Sequence, residues 1–95
     1  MRSEDRRYRS RIRIYHDILV VIKGNPMAKI THLIHMVNLP HDRLIEYLTQ
    51  MESDGLVERA NEGVNQRYKV THKGERFVKE FRSMRDWANA FGIDL

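Results

Sequence analysis

Two short amphipathic patterns on either side of Asn38-Leu39-Pro40 constrain this chain more than any other stretch. In the first, Ile30, Leu33, Ile34 and Val37 recur at i, i+3, i+4 and i+7, the spacing that gathers side chains on one helical face. In the second, Leu44, Leu48 and Met51 form the apolar stripe, with Ile45 and Tyr47 on its flanks. Asp42, Arg43, Glu46, Thr49, Gln50 and Ser53 are left on the opposite face. Gly55, free to take a positive φ, closes the second helix. Two short helices across a tight turn make a helix-turn-helix, a unit whose second helix can enter a DNA major groove.

At 95 residues the chain makes one domain with a core of its own, yet one small enough for dimerisation to add useful buried area. The absence of cysteine excludes a disulfide framework and a thiolate metal site. The longest apolar run, Ile18 to Ile22, is too short to span a bilayer, and no secretory apolar segment follows the arginine-rich start. These features predict a soluble cytoplasmic protein that does not enter a membrane. The formal net charge of +4 is unevenly placed. Arg2, Arg6, Arg7, Arg9, Arg11 and Arg13 against Glu4 and Asp5 account for all of it, and the rest of the chain balances. The presumed recognition helix is itself acidic, Arg43 facing Asp42, Glu46, Glu52 and Asp54. A carboxylate ~7 Å from a phosphate costs only about 0.6 kcal/mol in bulk water, so such a helix is handicapped and the attraction must come from elsewhere.

Residues 1–9 read as a basic N-terminal arm, with Ser3 and Ser10 as competing caps for the first helix and the later start preferred. Arg6, Arg7, Arg9 and Arg11 suit phosphates or a minor groove; a solvated tail explains the same composition. From Ile12 to Ile22 the helical pattern carries two stripes, Tyr15, Ile18, Leu19 and Ile22 on one and Ile14, Ile18 and Val21 on the other. A helix so widely apolar must be covered on more than one side. Gly24-Asn25-Pro26 ends it, and Met27-Ala28 reads as a very short strand or extended link. His32 and His35 could share a metal, but no carboxylate or thiolate completes a site, and exposed or phosphate-touching histidines are the simpler reading. With no glycine-rich phosphate loop and no nucleophile beside a base, neither an enzyme nor a cofactor or metal is expected.

Leu56 to Ala60 and Arg67 to Thr71 read as strands of a hairpin around the polar loop 61–66, too short to stand without packing on the helices. Arg59, Arg67, Lys69 and Lys73 give it a positive bias that Glu58 and Glu62 partly offset, and phosphate contact is favoured over a merely solvated hairpin. Thr71 is the expected N-cap of the last helix. There Phe77, Phe81, Met84, Ala88 and Phe91 recur at steps of four, three, four and three, a heptad seam that Val78 and Trp87 broaden. Such a helix could fold back on the first one as a strut. The seam and the spare stripe on the first helix are unmatched by pattern within one chain, so pairing between two copies is preferred. That places Ile14, Val21, Phe77, Phe81, Met84, Trp87, Ala88 and Phe91 at a dimer interface.

The series Arg-Ser-Arg-Ile at 9–12, Asp-Ile-Leu at 17–19, Asn-Leu at 38–39, Leu44, Tyr47-Leu48, Gly-Leu-Val at 55–57 and Tyr68-Lys-Val-Thr-His-Lys-Gly74 resembles the small archaeal winged-helix proteins counted among chromatin-associated DNA binders. The likeness covers residues 9 to about 84. It implies a mainly α fold with a small β-hairpin: an arm at 1–9, a winged helix-turn-helix at 10–71 and a C-terminal helix at 72–95 that pairs antiparallel in a homodimer. It further implies a nucleoid-associated transcription regulator or architectural protein that binds double-stranded DNA. In that picture Arg43, Glu46 and Gln50 face the groove and Asn65 to Arg67 the backbone; Arg6, Arg7, Arg9, Arg11, His41 and Lys69 complete the expected contact set. A winged helix used only to bind a protein partner, through its acidic second helix, is the alternative.

Overall fold

Ser10 starts the first helix as the sequence predicts, its hydroxyl accepting the Arg13 backbone N–H at 3.1 Å. A computed structural model describes residues 9–61, 63 and 66–95. Its elements in order are α1 (Arg11–Gly24), α2 (Ile30–Val37), α3 (His41–Ser53), β1 (Val57–Arg59), β2 (Tyr68–Val70) and α4 (His72–Ala90). The side-chain amide of Asn25 donates to the Val21 carbonyl and its backbone N–H to Ile22, closing α1 where Gly24-Asn25-Pro26 was expected to.

The turn between α2 and α3 is built on Asn38, which adopts a left-handed φ of 58° and returns its N–H to Ile34. Asparagine tolerates that conformation better than other residues with a Cβ, and Pro40 cannot continue the helix. The expected stripes of both helices turn inward: Leu33, Val37, Leu44, Leu48 and Met51 join Ile14, Ile18, Leu19 and Ile22 of α1 in one core with Leu39, Leu56, Val57 and Tyr68. Gly55 takes a φ of 80° after α3, and the Leu56 N–H then reaches back to the Met51 carbonyl.

The hairpin is shorter than its sequence suggests. Val57 pairs with Val70, Glu58 with Lys69 and Arg59 with Tyr68 in an antiparallel register. Burial raises the Tyr68 phenol pKa, an effect that Arg59 beside it partly offsets. Beyond the strands the Ala60 N–H still bonds to Arg67, and the Asn61 side chain accepts the Arg67 N–H at 2.8 Å. Met27-Ala28 is a link and not a strand. Ala28 N–H turns back to Asn25, and the Met27 carbonyl accepts the Arg67 guanidinium at 3.0 Å, so a side chain takes the place of a ladder partner.

Thr71 caps α4 as expected. Its hydroxyl accepts the Gly74 N–H at 3.0 Å and donates to the Gly55 carbonyl at 2.6 Å, tying the helix start to the end of α3. Thr71→Ala should remove both bonds and lower stability by about 1 to 2 kcal/mol with an unchanged denaturant slope. Urea unfolding followed by circular dichroism checks this.

The path of α4 corrects one expectation. The seam is not unmatched within the chain, because α4 packs along its own α1. His16 stacks on Phe81 with ring centres 4.6 Å apart, and Tyr15 meets Phe77 at 5.8 Å. Ile14, Phe81 and Ala88 are only 4%, 2% and 2% exposed, while Val21 and Phe77 are half-buried against the core. The apolar pattern missed this because His16 counts as polar, whereas its ring face is an apolar packing surface. Its Nδ1 lies 3.0 Å from Asp17, and its Nε2 is buried without a partner among the described residues. Of the expected interface, Met84, Trp87 and Phe91 remain exposed, joined by Ile12 and Ile93.

Candidate nucleic-acid interface

The outward face of α3 carries the residues its pattern assigns to it: Asp42, Arg43, Glu46, Thr49, Gln50 and Ser53 are all exposed. Because α1 crosses behind the helix pair, its first turn comes up beside this face. Arg11, Arg43, Glu46, Tyr47 and Gln50 together line a shallow cleft of about 250 Å³. Tyr47 sits at its centre. The Arg11 guanidinium carbon lies 5.9 Å from the centre of the Tyr47 ring and that of Arg43 lies 5.8 Å from it, both within cation–π reach. Tyr15 packs edge-on against the same ring at 5.9 Å. The neighbouring Tyr15 side chain, more than any other group, raises the Arg11 pKa above its already high ordinary value.

Gln50 is held from the other side. Its amide donates to Asp54 Oδ1 at 3.1 Å, while the Tyr15 hydroxyl reaches Asp54 Oδ2 at 3.4 Å and the Lys73 ammonium donates to the Asp54 carbonyl at 2.7 Å. Asp54 is therefore largely committed within the fold. Of the acidic residues on this helix, Glu52 is likewise engaged, by Arg59 at 3.3 Å. Glu46 and Asp42 remain exposed; the Asp42 carboxylate lies 3.1 Å from His41 Nδ1 at the helix start.

Arg9 does not belong to a free arm. Its guanidinium pairs with Asp17 at 2.8 Å and donates to the carbonyls of Val37 at 2.7 Å and Asn38 at 3.4 Å, so it caps the C-terminal end of α2. Cations favour helix C-termini, and here one also bridges to α1. In this structure Arg9 thus serves as a clamp on the turn. Asp17→Ala should remove the ion pair and lower stability by about 1 kcal/mol, a figure reduced for the partial exposure of both groups. Thermal unfolding reads this out. Arg6, Arg7 and Asn65 lie outside the described residues.

On the wing, Lys69 pairs with Glu58 at 3.5 Å and Arg67 is tied to the Met27 carbonyl, so its positive bias is engaged internally. Exposed ion pairs are worth ~0 to 1 kcal/mol and exchange readily for a phosphate. Among the described residues no group of three or more His, Cys, Asp or Glu could hold a metal, and His32 and His35 are exposed. No helix among them is long and apolar enough to cross a membrane.

The structure thus brings Arg11, Arg43, Glu46 and Gln50 together, leaves His41 beside Asp42 at the start of α3 and Arg67 and Lys69 on the wing, and holds Arg9 against the end of α2. Sequence reading missed Tyr47, taken only as the flank of an apolar stripe. The signal available was an aromatic residue between Arg43 and Gln50, at the border of the helix's polar face.

A family model described as winged helix-turn-helix matches residues 8–89. No curated relative matches the chain in sequence. Among solved structures, the DNA-binding protein Sso10a-2 from Sulfolobus solfataricus is 24% identical with a TM-score of 0.69, the match covering 88% of this chain and 90% of that one. AF1382 from Archaeoglobus fulgidus is 24% identical with a TM-score of 0.65, over 80% of this chain and 84% of that one. A multiple antibiotic-resistance repressor of the MarR type from Listeria monocytogenes is 19% identical with a TM-score of 0.70 over 82% of this chain. The chain spans about half the length of that regulator, 54%. At these identities the likeness is one of fold.

Proposed function

The chain belongs to the winged helix-turn-helix family, and from that premise we propose that it binds double-stranded DNA as a homodimeric transcription regulator or nucleoid-associated chromatin protein. The observation that carries this reading is the cleft on α3, where Arg11 and Arg43 flank Tyr47 beside an exposed Gln50. Arg43 suits a guanine edge and Gln50 an adenine edge. To bind adenine with both amide atoms, Gln50 must release Asp54, an exposed bond worth about 1 kcal/mol. Arg11, the arginines of residues 1–8 and the wing cations supply phosphate contacts. The description of Sso10a-2 as a DNA-binding protein agrees with this use of the fold.

The pairing of Glu52 with Arg59 softens the electrostatic handicap of α3. A carboxylate already facing a cation repels phosphate less than a free one. Dimerisation is assigned to the apolar side chains that the intrachain packing leaves out, Met84, Trp87, Phe91 and Ile93.

The test is a DNA mobility shift across salt concentrations. With about four phosphate contacts per protomer, the log–log slope for a dimer should be near −7. A flat response would exclude the mechanism. Arg43→Ala should relax sequence preference; an equal loss on all sequences would make Arg43 a phosphate contact only. The exposed Asp42 and Glu46 favour the alternative of a basic protein partner. Removing residues 1–8, which spares the Arg9 clamp, should abolish DNA binding in the proposed function and leave partner binding intact in the alternative.

A further inference from the structure

Arg11 and Arg43 arise on different helices, and the contact they share is one aromatic ring. Arginine side chains are long and rotamer-rich, so a free guanidinium can meet any of several phosphates or bases. A ring that holds both narrows that choice. Tyr47 is fixed edge-on by Tyr15, which in turn packs against Phe77 of α4. The Tyr15 hydroxyl reaches Asp54, which holds Gln50. The Tyr15–Tyr47 pair therefore touches Arg11 from α1 and Arg43 from α3, and reaches Gln50 through Asp54.

Resting on the DNA-binding reading above, we propose that Tyr47 is a positioning residue that sets the register between a backbone contact made by Arg11 and a base contact made by Arg43. If the two guanidinium groups are held by one ring, the phosphate that Arg11 finds determines which base edge Arg43 meets. Without the ring, both cations remain and still attract any duplex, but the fixed offset between phosphate and base is lost. Tyr47 thus controls discrimination between sequences and leaves general attraction to DNA unchanged. Arginine is required for this at position 11, because a lysine ammonium keeps the charge without the planar group that stacks.

The consequence differs from that of a structural tyrosine. Loss of a merely structural residue would weaken binding to all sequences together and lower thermal stability in step. Loss of a register-setting ring lowers only the ratio of specific to non-specific affinity. Two exposed cation–π contacts correspond to a drop in that ratio of about five- to thirtyfold.

The experiment uses the full chain, a duplex enriched by the wild-type protein from a random pool, and a scrambled duplex of the same length. Tyr47→Leu should lower the affinity ratio by that factor, with the scrambled-duplex affinity and the salt slope unchanged within twofold. Tyr47→Phe keeps the ring and should keep the ratio. Arg11→Lys, which leaves the ring and its packing on Tyr15 in place and removes one of the two contacts, should lower the ratio by about two- to fivefold; it decides the matter if the leucine variant unfolds. An unchanged ratio in Arg11→Lys would overturn the proposal, as would a fall in Tyr47→Phe equal to that of Tyr47→Leu, since the hydroxyl would then be the acting group. A parallel loss on both duplexes in all three variants would also overturn it. If the wild-type protein enriches no sequence and shows no salt dependence, the DNA-binding reading itself fails, an outcome separate from these.

Discussion

Gly74→Ala is expected to destabilise the protein by about 2 to 4 kcal/mol, although the same exchange in an isolated helix would stabilise it by about 1 kcal/mol. Gly74 lies in the first turn of α4 and is buried. A Cβ there would overlap the Leu56 carbonyl oxygen and come within 2.8 Å of Val70 Cγ1. The oxygen cannot easily withdraw, because it accepts the Thr71 N–H at 3.1 Å. Relief therefore requires the start of α4 to lift from the hairpin. That strains the Thr71 cap and the contacts that Phe77 and Phe81 make with α1. Gly24 provides the control: it ends α1 in the open with no atom within 4 Å of a built Cβ, so Gly24→Ala should be neutral or slightly stabilising. Urea unfolding of the two variants tests the contrast, and a Gly74→Ala protein as stable as the parent would show that the helix start yields without loss.

Gly74 also illustrates what a sequence can and cannot disclose. As a residue it reads as a weak point in a helix, and only the approach of the Leu56 backbone turns it into a requirement. Features governed by chemistry within a few residues were legible in advance. Ser10 and Thr71 as caps, Gly55 as a positive-φ stop, and the two stripes that face the core through Leu33, Val37, Leu44 and Leu48 depend on local spacing alone. Features that join distant residues through amphipathic side chains were not. His16 supplies an apolar face to Phe81, and Arg9 spends its charge on Asp17 and on the end of α2. Both belong to residue types that pattern reading assigns to solvent. The same reason separates the legible part of the candidate site from the rest. Arg43 and Gln50 are exposed by helical periodicity, whereas the stacking of Arg11 on Tyr47 needs α1 and α3 to meet.

The packing of α4 on α1 narrows the proposed dimer contact to the far end of the helix, and there a second large effect is expected. Trp87 and Phe91, 63% and 66% exposed, lie 4.9 Å apart between ring centres, with Met84 and Ile93 also exposed. Phe81 and Ala88 are buried, so substitutions at 87 and 91 leave those buried groups in place. Trp87→Glu with Phe91→Glu should accordingly keep the native unfolding temperature within a few degrees while halving the mass in solution. Two linked reading heads gain avidity over one by roughly 10² to 10⁴, so the variant should bind DNA at least about a hundredfold more weakly, with its salt slope cut from near −7 to near −3.5. The slope is the discriminating quantity. A variant that loses affinity at constant slope has been damaged within each head, whereas one whose slope halves has lost its partner. Unchanged mass and unchanged slope together would remove this patch from the dimer and leave the apolar end of α4 without the role proposed for it.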